Sequence, residues 1–255
     1  MVPHVETAMG EVFSAVKRGP KDGPVLVLVH GAGGSRLHWP SQLRRMPDAT
    51  VYTLDLPGHG RSKGDGCETI DCYVEAVVAF LDAVAVDQAV IVGHSMGGAI
   101  VQTLALQASE RVSALVLVGT GARLRVASAI LGGIKHDLDG TIALITQYAW
   151  SPDADASLME LGRDALRETG AGVLLGDFVA CDRFDIMDRL AEIRVPTLVI
   201  GGSADKLTPL KYAHYLAENL PDARLLIIEG AGHMVMLEQP EQVADAVREF
   251  VAASR

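Results

Sequence analysis

The chain has 255 residues, of which 49% are hydrophobic and 21% charged, and its formal net charge is −10. This length and hydrophobic content suit one large α/β domain, or a core domain with an insertion. A nucleic-acid binder is not expected, because such proteins present a basic face and here Lys and Arg form nothing larger than isolated pairs such as Arg44-Arg45.

Three cysteines occur, at Cys67, Cys72 and Cys181. Such a small, odd number in a long chain predicts free thiols in a reducing compartment rather than a disulfide framework. No Cys/His spacing is typical of a zinc site. The polar N-terminus lacks the apolar segment of a signal peptide, and no apolar run has the length of a membrane span. We therefore expect a cytoplasmic protein with no metal and no membrane contact.

Short β-branched runs alternate with helical patterns along the chain. An early strand is predicted around Val12-Phe13. Further strands are predicted at residues 25–29, 51–54, 89–92, 114–118, 197–200 and 225–228. Apolar residues recur at helical spacing over residues 70–84, with Thr69 as N-cap, and Pro209 and Pro240 are typical of helix starts. The alternation predicts a mostly parallel sheet with helices on both faces.

Residues 121–194 interrupt this alternation, because no clear strand appears there. Helical stretches at 141–150 and 158–166 are separated by Gly132-Gly133, Ser151-Pro152 and Gly170 to Gly172. We interpret residues 1–120 and 195–255 as a core domain and residues 121–194 as a helical cap, or lid, inserted in it. Since the insertion follows the C-terminal end of a strand, where open α/β sheets bind ligands, it should cover the site. The alternative is a structural subdomain without ligand contacts.

The pentapeptide Gly93-His94-Ser95-Met96-Gly97 directly follows the predicted strand at 89–92 and precedes a helix-forming stretch. Glycines two residues before and two after Ser95 remove side chains that would collide in a sharp strand-to-helix turn. The motif predicts an exposed serine hydroxyl at the apex of the turn. The alternative is a turn serine without chemistry.

A serine nucleophile needs a base, and the base needs an orienting partner. Asp205 follows the predicted strand at 197–200, and His233 follows the strand at 225–228. Loops after parallel strands converge at one edge of a sheet, so these side chains can meet Ser95, and the order Ser, Asp, His suits this architecture. Glu229 is an alternative orienting residue.

An oxyanion hole needs two backbone N–H donors near the nucleophile. Met96, directly after the serine, is one candidate. The loop Gly31-Ala32-Gly33-Gly34, after the strand at 25–29, should supply the other, with Ala32 favoured and Gly31 as the alternative. Phosphate binding by this loop is not indicated, because the spacing of the phosphate-binding motifs and their lysine are missing.

With these motifs in place, the sequence resembles the α/β-hydrolase superfamily, specifically its lid-bearing serine esterase and lactonase branch. Residues 30–34, 55–62, 93–98, 196–205 and 232–233 carry the resemblance. It implies an α/β-hydrolase fold with Ser95 as nucleophile, His233 as general base and acid, Asp205 as orienting residue, Ala32 and Met96 as oxyanion donors, and no cofactor. A serine nucleophile argues against haloalkane dehalogenase and epoxide hydrolase relatives, which use aspartate.

The expected reaction is hydrolysis of a small-molecule carboxylic ester or lactone through an acyl-enzyme on Ser95. Carbon–carbon bond hydrolases, enol-lactonases of aromatic degradation and perhydrolases use the same triad and stay open as alternatives. For these, Arg123, Arg125 and Arg183 are candidates to hold a substrate carboxylate. A non-catalytic ligand-binding protein is a third hypothesis. The residues expected to contact substrate are Gly31, Trp39, Tyr148, Trp150, Phe178 and Met234.

Overall fold

A computed structural model describes residues 4–7 and 10–254 of the chain. The strands are β1 (His4–Thr7), β2 (Gly10–Lys17), β3 (Val25–Val29), β4 (Thr50–Leu54), β5 (Ala89–His94), β6 (Val112–Val118), β7 (Thr197–Gly202) and β8 (Ala223–Ile228). They form one sheet in the order β1-β2-β4-β3-β5-β6-β7-β8. β1 and β2 pair antiparallel, as do β2 and β4, and the other neighbours are parallel.

Nine α-helices surround or extend from this sheet in the described part of the chain. They are α1 (Ser41–Arg44), α2 (Ile70–Ala83), α3 (Met96–Gln107), α4 (Ser128–His136), α5 (Leu138–Ala149), α6 (Ala156–Arg183), α7 (Lys211–Asn219), α8 (Val235–Glu238) and α9 (Pro240–Ala253). Short 3-10 turns occur at Arg36–His38, Ser109–Arg111 and Met187–Glu192. The predicted α/β-hydrolase architecture is confirmed.

The core lies on both faces of the sheet, and β3 shows why. Val27 and Val29 pack into the cluster that contains α2 and α3, whereas Leu26 and Leu28 pack into the cluster that contains α1 and α9. Successive side chains of a strand point to opposite faces, so an unbroken apolar run has a helix layer to contact on each side. This is the pattern that the sequence predicted for a central parallel strand.

The predicted helix starts are correct at Thr69 and Pro240 but not at Pro209. The Thr69 hydroxyl accepts a hydrogen bond from Cys72 N–H at 3.3 Å, and Pro240 is the first residue of α9. α7 begins two residues later than expected, at Lys211. Just before it, Thr208 turns its backbone N–H and its hydroxyl toward the Asp205 carboxylate.

Helices α4, α5 and α6 form the segment between β6 and β7, which we call the inserted segment (residues 121–194). The expected break at Gly132-Gly133 is wrong, since α4 continues through both glycines. Gly133 instead lets α5 approach, because a Cβ there would lie 2.2 Å from Thr141 Oγ1. The break expected at Gly170 is present as a kink inside α6, with φ 80° and ψ 157°.

The inserted segment has a small apolar core of its own. Its buried members are Ile130, Ile134, Ile142, Ile145, Leu166 and Leu174. Within the part of the chain that the structure describes, no helix is both long enough and apolar enough to cross a membrane.

The expectation of three free thiols is wrong. Cys67 and Cys72 form a disulfide, with their Cα atoms 6.0 Å apart, and Cys181 is the buried free cysteine. Cys72 lies in the first turn of α2, and Cys67 lies three residues before that helix begins. The prediction rested on the number of cysteines, and that number says nothing about whether two neighbouring cysteines pair.

We expect the alkylation pattern of the denatured protein to show this disulfide. Protein denatured without a reductant should take up one iodoacetamide adduct, on Cys181, and reduced protein should take up three. Mass spectrometry measures the number of adducts directly. Three adducts without a reductant would contradict the pairing, and a Cys181→Ala variant, which should take up none before reduction, is the control.

Candidate active site

Ser95 lies in the turn between β5 and α3 with a backbone that L-residues rarely adopt, φ 53° and ψ −117°. Its N–H donates to Val118 O at 3.0 Å, and its carbonyl accepts from Gly98 N–H and from the Thr120 hydroxyl, each at 2.8 Å. These contacts hold the backbone on both sides of the serine, so its side chain stays at the top of the turn.

The glycines on either side of Ser95 are required by close backbone contacts. A Cβ at Gly93 would lie 2.3 Å from Gly97 O, and a Cβ at Gly97 would lie 2.2 Å from Val29 O. Both obstacles are backbone atoms, which cannot rotate away. Side chains at these two positions would therefore collide with the turn itself and with β3.

His233 and Asp205 meet at the carboxyl edge of the sheet. The Nδ1 atom of His233 lies 2.9 Å from Asp205 Oδ2, and both side chains are buried. The other carboxylate oxygen, Oδ1, accepts from the N–H groups of Leu207 and Thr208 at 2.8 Å each. A carboxylate accepts through both oxygens, so His233 donates from Nδ1, and Nε2 is left unprotonated in the neutral ring.

Thr208 is a member of this cluster that sequence reasoning missed. Its hydroxyl donates to Asp205 Oδ2 at 2.7 Å and lies 3.2 Å from His233 Nδ1. A loop aspartate often accepts hydrogen bonds from residues just after it, so the position of Thr208, three residues after Asp205, is the sequence signal that could have found it.

The surroundings favour the ionised form of Asp205. Burial alone would raise the pKa of this carboxyl group, but the charge and hydrogen bond of His233 and the hydrogen bonds from Thr208 outweigh it and lower the pKa below its ordinary value. The neighbouring His94 differs, because burial and then the proximity of His233 hold its pKa well below the usual range. His94 is thus a neutral ring, and its Nε2 donates to His233 O at 3.0 Å.

The loop after β3 approaches the serine closely. A Cβ at Gly31 would lie 3.0 Å from the Cβ of Ser95, so the loop and the turn are in contact. Ala32 follows Gly31 on the wall of a cavity that Ser95 also lines. Met96 is the first residue of α3, and its N–H therefore has no acceptor one turn earlier in that helix. Of the two expected oxyanion donors, Met96 thus directly follows Ser95 in the chain, and Ala32 lines a cavity together with Ser95.

Ser95 and His233 together line two cavities. The larger has a volume of about 340 Å³ and is lined mostly by apolar side chains of the inserted segment. The smaller, about 80 Å³, lies beside Ala32 and the indole of Trp150. Among the described residues, no group of three or more His, Cys, Asp or Glu side chains could hold a metal ion.

Five of the six residues expected to contact substrate border these cavities. They are Gly31, Trp150 and Met234 in the smaller cavity, Tyr148 in the larger and Phe178 in both. The prediction for Trp39 is wrong, since this residue lines neither of the two cavities. Its side chain is fully buried in the core, edge-on to His94 with ring centroids 6.4 Å apart. An indole can bury a large apolar area at such a position, and packing accounts for this residue.

The structure also locates the alternative orienting residue and the three arginines that are candidates to hold a substrate carboxylate. Glu229 is exposed and borders a different cavity, away from His233. Of the three candidate arginines, Arg125 lines the larger cavity, whereas Arg123 pairs with Asp185 and the Arg183 guanidinium donates to a backbone carbonyl.

Replacing Gly97 by alanine should destabilise the protein. The new Cβ would collide with the backbone of β3, and such overpacking typically costs about 1–3 kcal/mol. Gly132 is the matched control, because it lies inside α4 with nothing within 4 Å of an added Cβ. Gly132→Ala should stabilise the protein by about 0.5–1 kcal/mol, as alanine favours a helix over glycine. Urea unfolding measures both changes, and a neutral Gly97→Ala would refute the contact.

Comparison with known proteins agrees with this architecture. The chain is 30% identical over 239 residues to the pimeloyl-[acyl-carrier protein] methyl ester esterase of Neisseria meningitidis, covering 88% of this chain and 92% of that protein. A thermophilic esterase of known structure is 36% identical with a TM-score of 0.85, covering 95% of this chain and 94% of that one. Est816, an N-acyl homoserine lactone degrading enzyme, is 26% identical with a TM-score of 0.86, covering 97% and 100%.

The sequence model of the alpha/beta hydrolase family matches residues 26–246, which is most of the chain. That range includes the Ser95 turn, the loop after β3, Asp205 and His233. The protein belongs to the alpha/beta hydrolase family.

Proposed function

We propose that the protein is a serine hydrolase that cleaves carboxylic esters or lactones through an acyl-enzyme on Ser95. The observation that supports this best is the His233 imidazole, which is bonded through Nδ1 to the buried Asp205 carboxylate and lines the same cavities as Ser95. Its Nε2 is thereby left to serve the serine hydroxyl. An esterase, a methyl ester esterase and a lactone-degrading enzyme among similar proteins support the same class of bond.

The reaction begins when Ser95 Oγ attacks the carbonyl carbon and His233 Nε2 takes the hydroxyl proton. Asp205 stabilises the imidazolium that results. The carbonyl oxygen becomes an oxyanion, which the N–H groups of Ala32 and Met96 receive. When the intermediate collapses, His233 protonates the departing alkoxide. Water then attacks the acyl-enzyme with His233 again as base, which releases the acid and restores Ser95. With a lactone, the alkoxide and the acyl group stay in one molecule.

In this proposal residues 121–194 act as a cap, and the substrate is a small molecule with an apolar acyl or alcohol part. The larger cavity supports this, because its wall is built from such side chains as Ile130, Leu144 and Phe178. The proposal includes a cytoplasmic location. Disulfides are rare in such reducing compartments, so the Cys67–Cys72 bond would be an unusual feature there.

Ser95→Ala should abolish covalent labelling by a fluorophosphonate probe, because the labelled oxygen is removed. Turnover of short-chain p-nitrophenyl esters should fall by about three orders of magnitude or more. Ser128→Ala, which changes an exposed serine at the start of α4, is the control and should retain both properties. Gel fluorescence and initial rates measure the two effects. Undiminished labelling of Ser95→Ala would disprove the assignment.

A second candidate is hydrolysis of substrates that carry a carboxylate, as in the carbon–carbon bond hydrolases and enol-lactonases considered above. The specific observation in its favour is that Arg125 and Lys206, both cationic and exposed, line the cavity that contains Ser95. Two positive charges at this wall would attract an anionic group remote from the scissile bond.

If the cations select such substrates, Arg125→Gln should lower kcat/KM for the p-nitrophenyl monoester of glutaric acid about twofold to fivefold. This is the range expected for an exposed ion pair. The neutral p-nitrophenyl pentanoate should be unaffected. Arg123→Gln is the control, since Arg123 does not line this cavity. An equal loss for both esters would rule out the charge effect, and the difference should shrink as salt is added.

A further inference from the structure

Asp177 is a fully buried carboxylate in α6, outside the triad, and it joins three separate parts of the core to the inserted segment. Its Oδ2 accepts from Gly33 N–H at 2.7 Å and lies 2.8 Å from His59 Nε2. Its Oδ1 accepts from the Tyr73 hydroxyl at 2.5 Å. The side chains of Asp177, His59 and Tyr73 have no exposed surface. Both oxygens of the carboxylate therefore face donors.

The His59 ring carries a positive charge in this arrangement. Its Nδ1 lies 2.9 Å from Pro57 O and its Nε2 faces Asp177, so both ring nitrogens donate. Burial alone would lower the pKa of His59, but the charge and hydrogen bond of Asp177 outweigh it and raise the pKa overall. Asp177 thus takes part in a buried ion pair, and such a pair resists separation because either partner alone would be an uncompensated charge.

The Gly33 contact is important because of what lies next to it. Gly33 N–H belongs to the Ala32–Gly33 peptide, one residue from the Ala32 N–H that the proposed mechanism assigns to the oxyanion. Gly34 N–H donates to Gly31 O at 3.1 Å, so residues 31–34 form a turn, with Gly33 at φ 61°. We call this segment the oxyanion turn.

The inserted segment contacts the oxyanion turn in two further ways. The Thr169 hydroxyl lies 3.1 Å from Gly33 O and 3.0 Å from Ala165 O of its own helix, so its single proton is shared between them. A Cβ at Gly33 would lie 2.4 Å from Leu166 and 2.7 Å from Leu174, so α6 leaves no free space above this residue. The turn is held at its N–H, at its carbonyl and at its Cα by one helix.

We propose that Asp177 is a positioning residue of the reaction, which fixes the oxyanion turn so that Ala32 N–H is aligned with the developing oxyanion. The inference rests on the proposed function. Its chemical basis is that an oxyanion hole works through donors fixed before the reaction, and a donor displaced by about 1 Å loses much of its effect. The inserted segment then completes the site as well as covering it.

The test uses Asp177→Asn, Thr169→Val and the control Asp164→Asn in the full chain. Asparagine keeps the size and one acceptor oxygen of Asp177 but removes the charge that binds His59. Asp164 is an exposed aspartate in the same helix, paired with Arg167, and its replacement should change nothing. Active sites are titrated with the fluorophosphonate probe, so that kcat refers to folded, reactive protein only.

Asp177→Asn should lower kcat about 10-fold to 100-fold while KM for a short p-nitrophenyl ester stays within about twofold. Phenylboronic acid, whose adduct with the serine is tetrahedral, should bind more weakly by a similar factor. Thr169→Val should lower kcat about threefold to tenfold, since it removes one shared hydrogen bond. A rise in KM with unchanged kcat, or kcat within twofold of wild type in both variants, would overturn the proposal.

Hydrogen–deuterium exchange gives a readout that does not depend on activity. Asparagine offers a single oxygen to the three donors that face Asp177, so the weakened Gly33 bond should speed exchange in the peptide that contains residues 31–34 about tenfold in Asp177→Asn, and not in Asp164→Asn. If wild-type protein hydrolyses no ester, the proposed function fails, and unchanged exchange would separately refute the hold on the turn. Should Asp177→Asn not fold, Thr169→Val decides by the same two measurements.

Discussion

A serine backbone at φ 53° and ψ −117° is stable only where the surroundings leave it no better conformation. Such a conformation costs about 1–3 kcal/mol, so packing around it must supply at least that much. Here the turn connects the end of β5 to the start of α3. Because Gly93 and Gly97 have no side chains, the end of β5, the start of α3 and β3 can lie in backbone contact. The site depends on this constraint, since it fixes where the hydroxyl and the N–H of Met96 lie.

Asp205 and His233 lie at the same edge of the sheet as Ser95 because the strands that precede them are parallel to β5. β7 ends before Asp205 and β8 before His233, and neighbouring strands with the same direction place these loops side by side. Hydrogen bonds from its own loop bind Oδ1 of Asp205 and orient the carboxylate, so that Oδ2 faces the imidazole. The inserted segment leaves the sheet at this edge, after β6, so its helices can reach the oxyanion turn.

The sequence predicted the strands β2 to β8, the Ser95 turn and most of the residues that lie around it, because each depends on a local pattern: an apolar run, a glycine spacing, or the position just after a strand. It missed β1, which lies in a polar stretch. It did not predict Thr208, the Cys67–Cys72 disulfide or the buried position of Trp39, which depend on how loops and side chains pack in three dimensions. Asp177 gave one local sign, a charge within the apolar stretch 173–181, but its three partners are distant in sequence.

Two buried carboxylate–imidazole pairs lie near the oxyanion turn, and the second nitrogen of each ring separates their chemistry. In His59, Nδ1 faces the Pro57 carbonyl and Nε2 faces Asp177, so both nitrogens are donors and the ring has no lone pair with which to take a proton. In His233, Nδ1 faces Asp205, and among the described residues no carbonyl or carboxylate pairs with Nε2. The second ring is therefore the one to which the proposed function assigns proton exchange with a hydroxyl. The first is suited to holding α6 against the core, because a charge that cannot leave its partners makes a fixed link between the two parts of the fold.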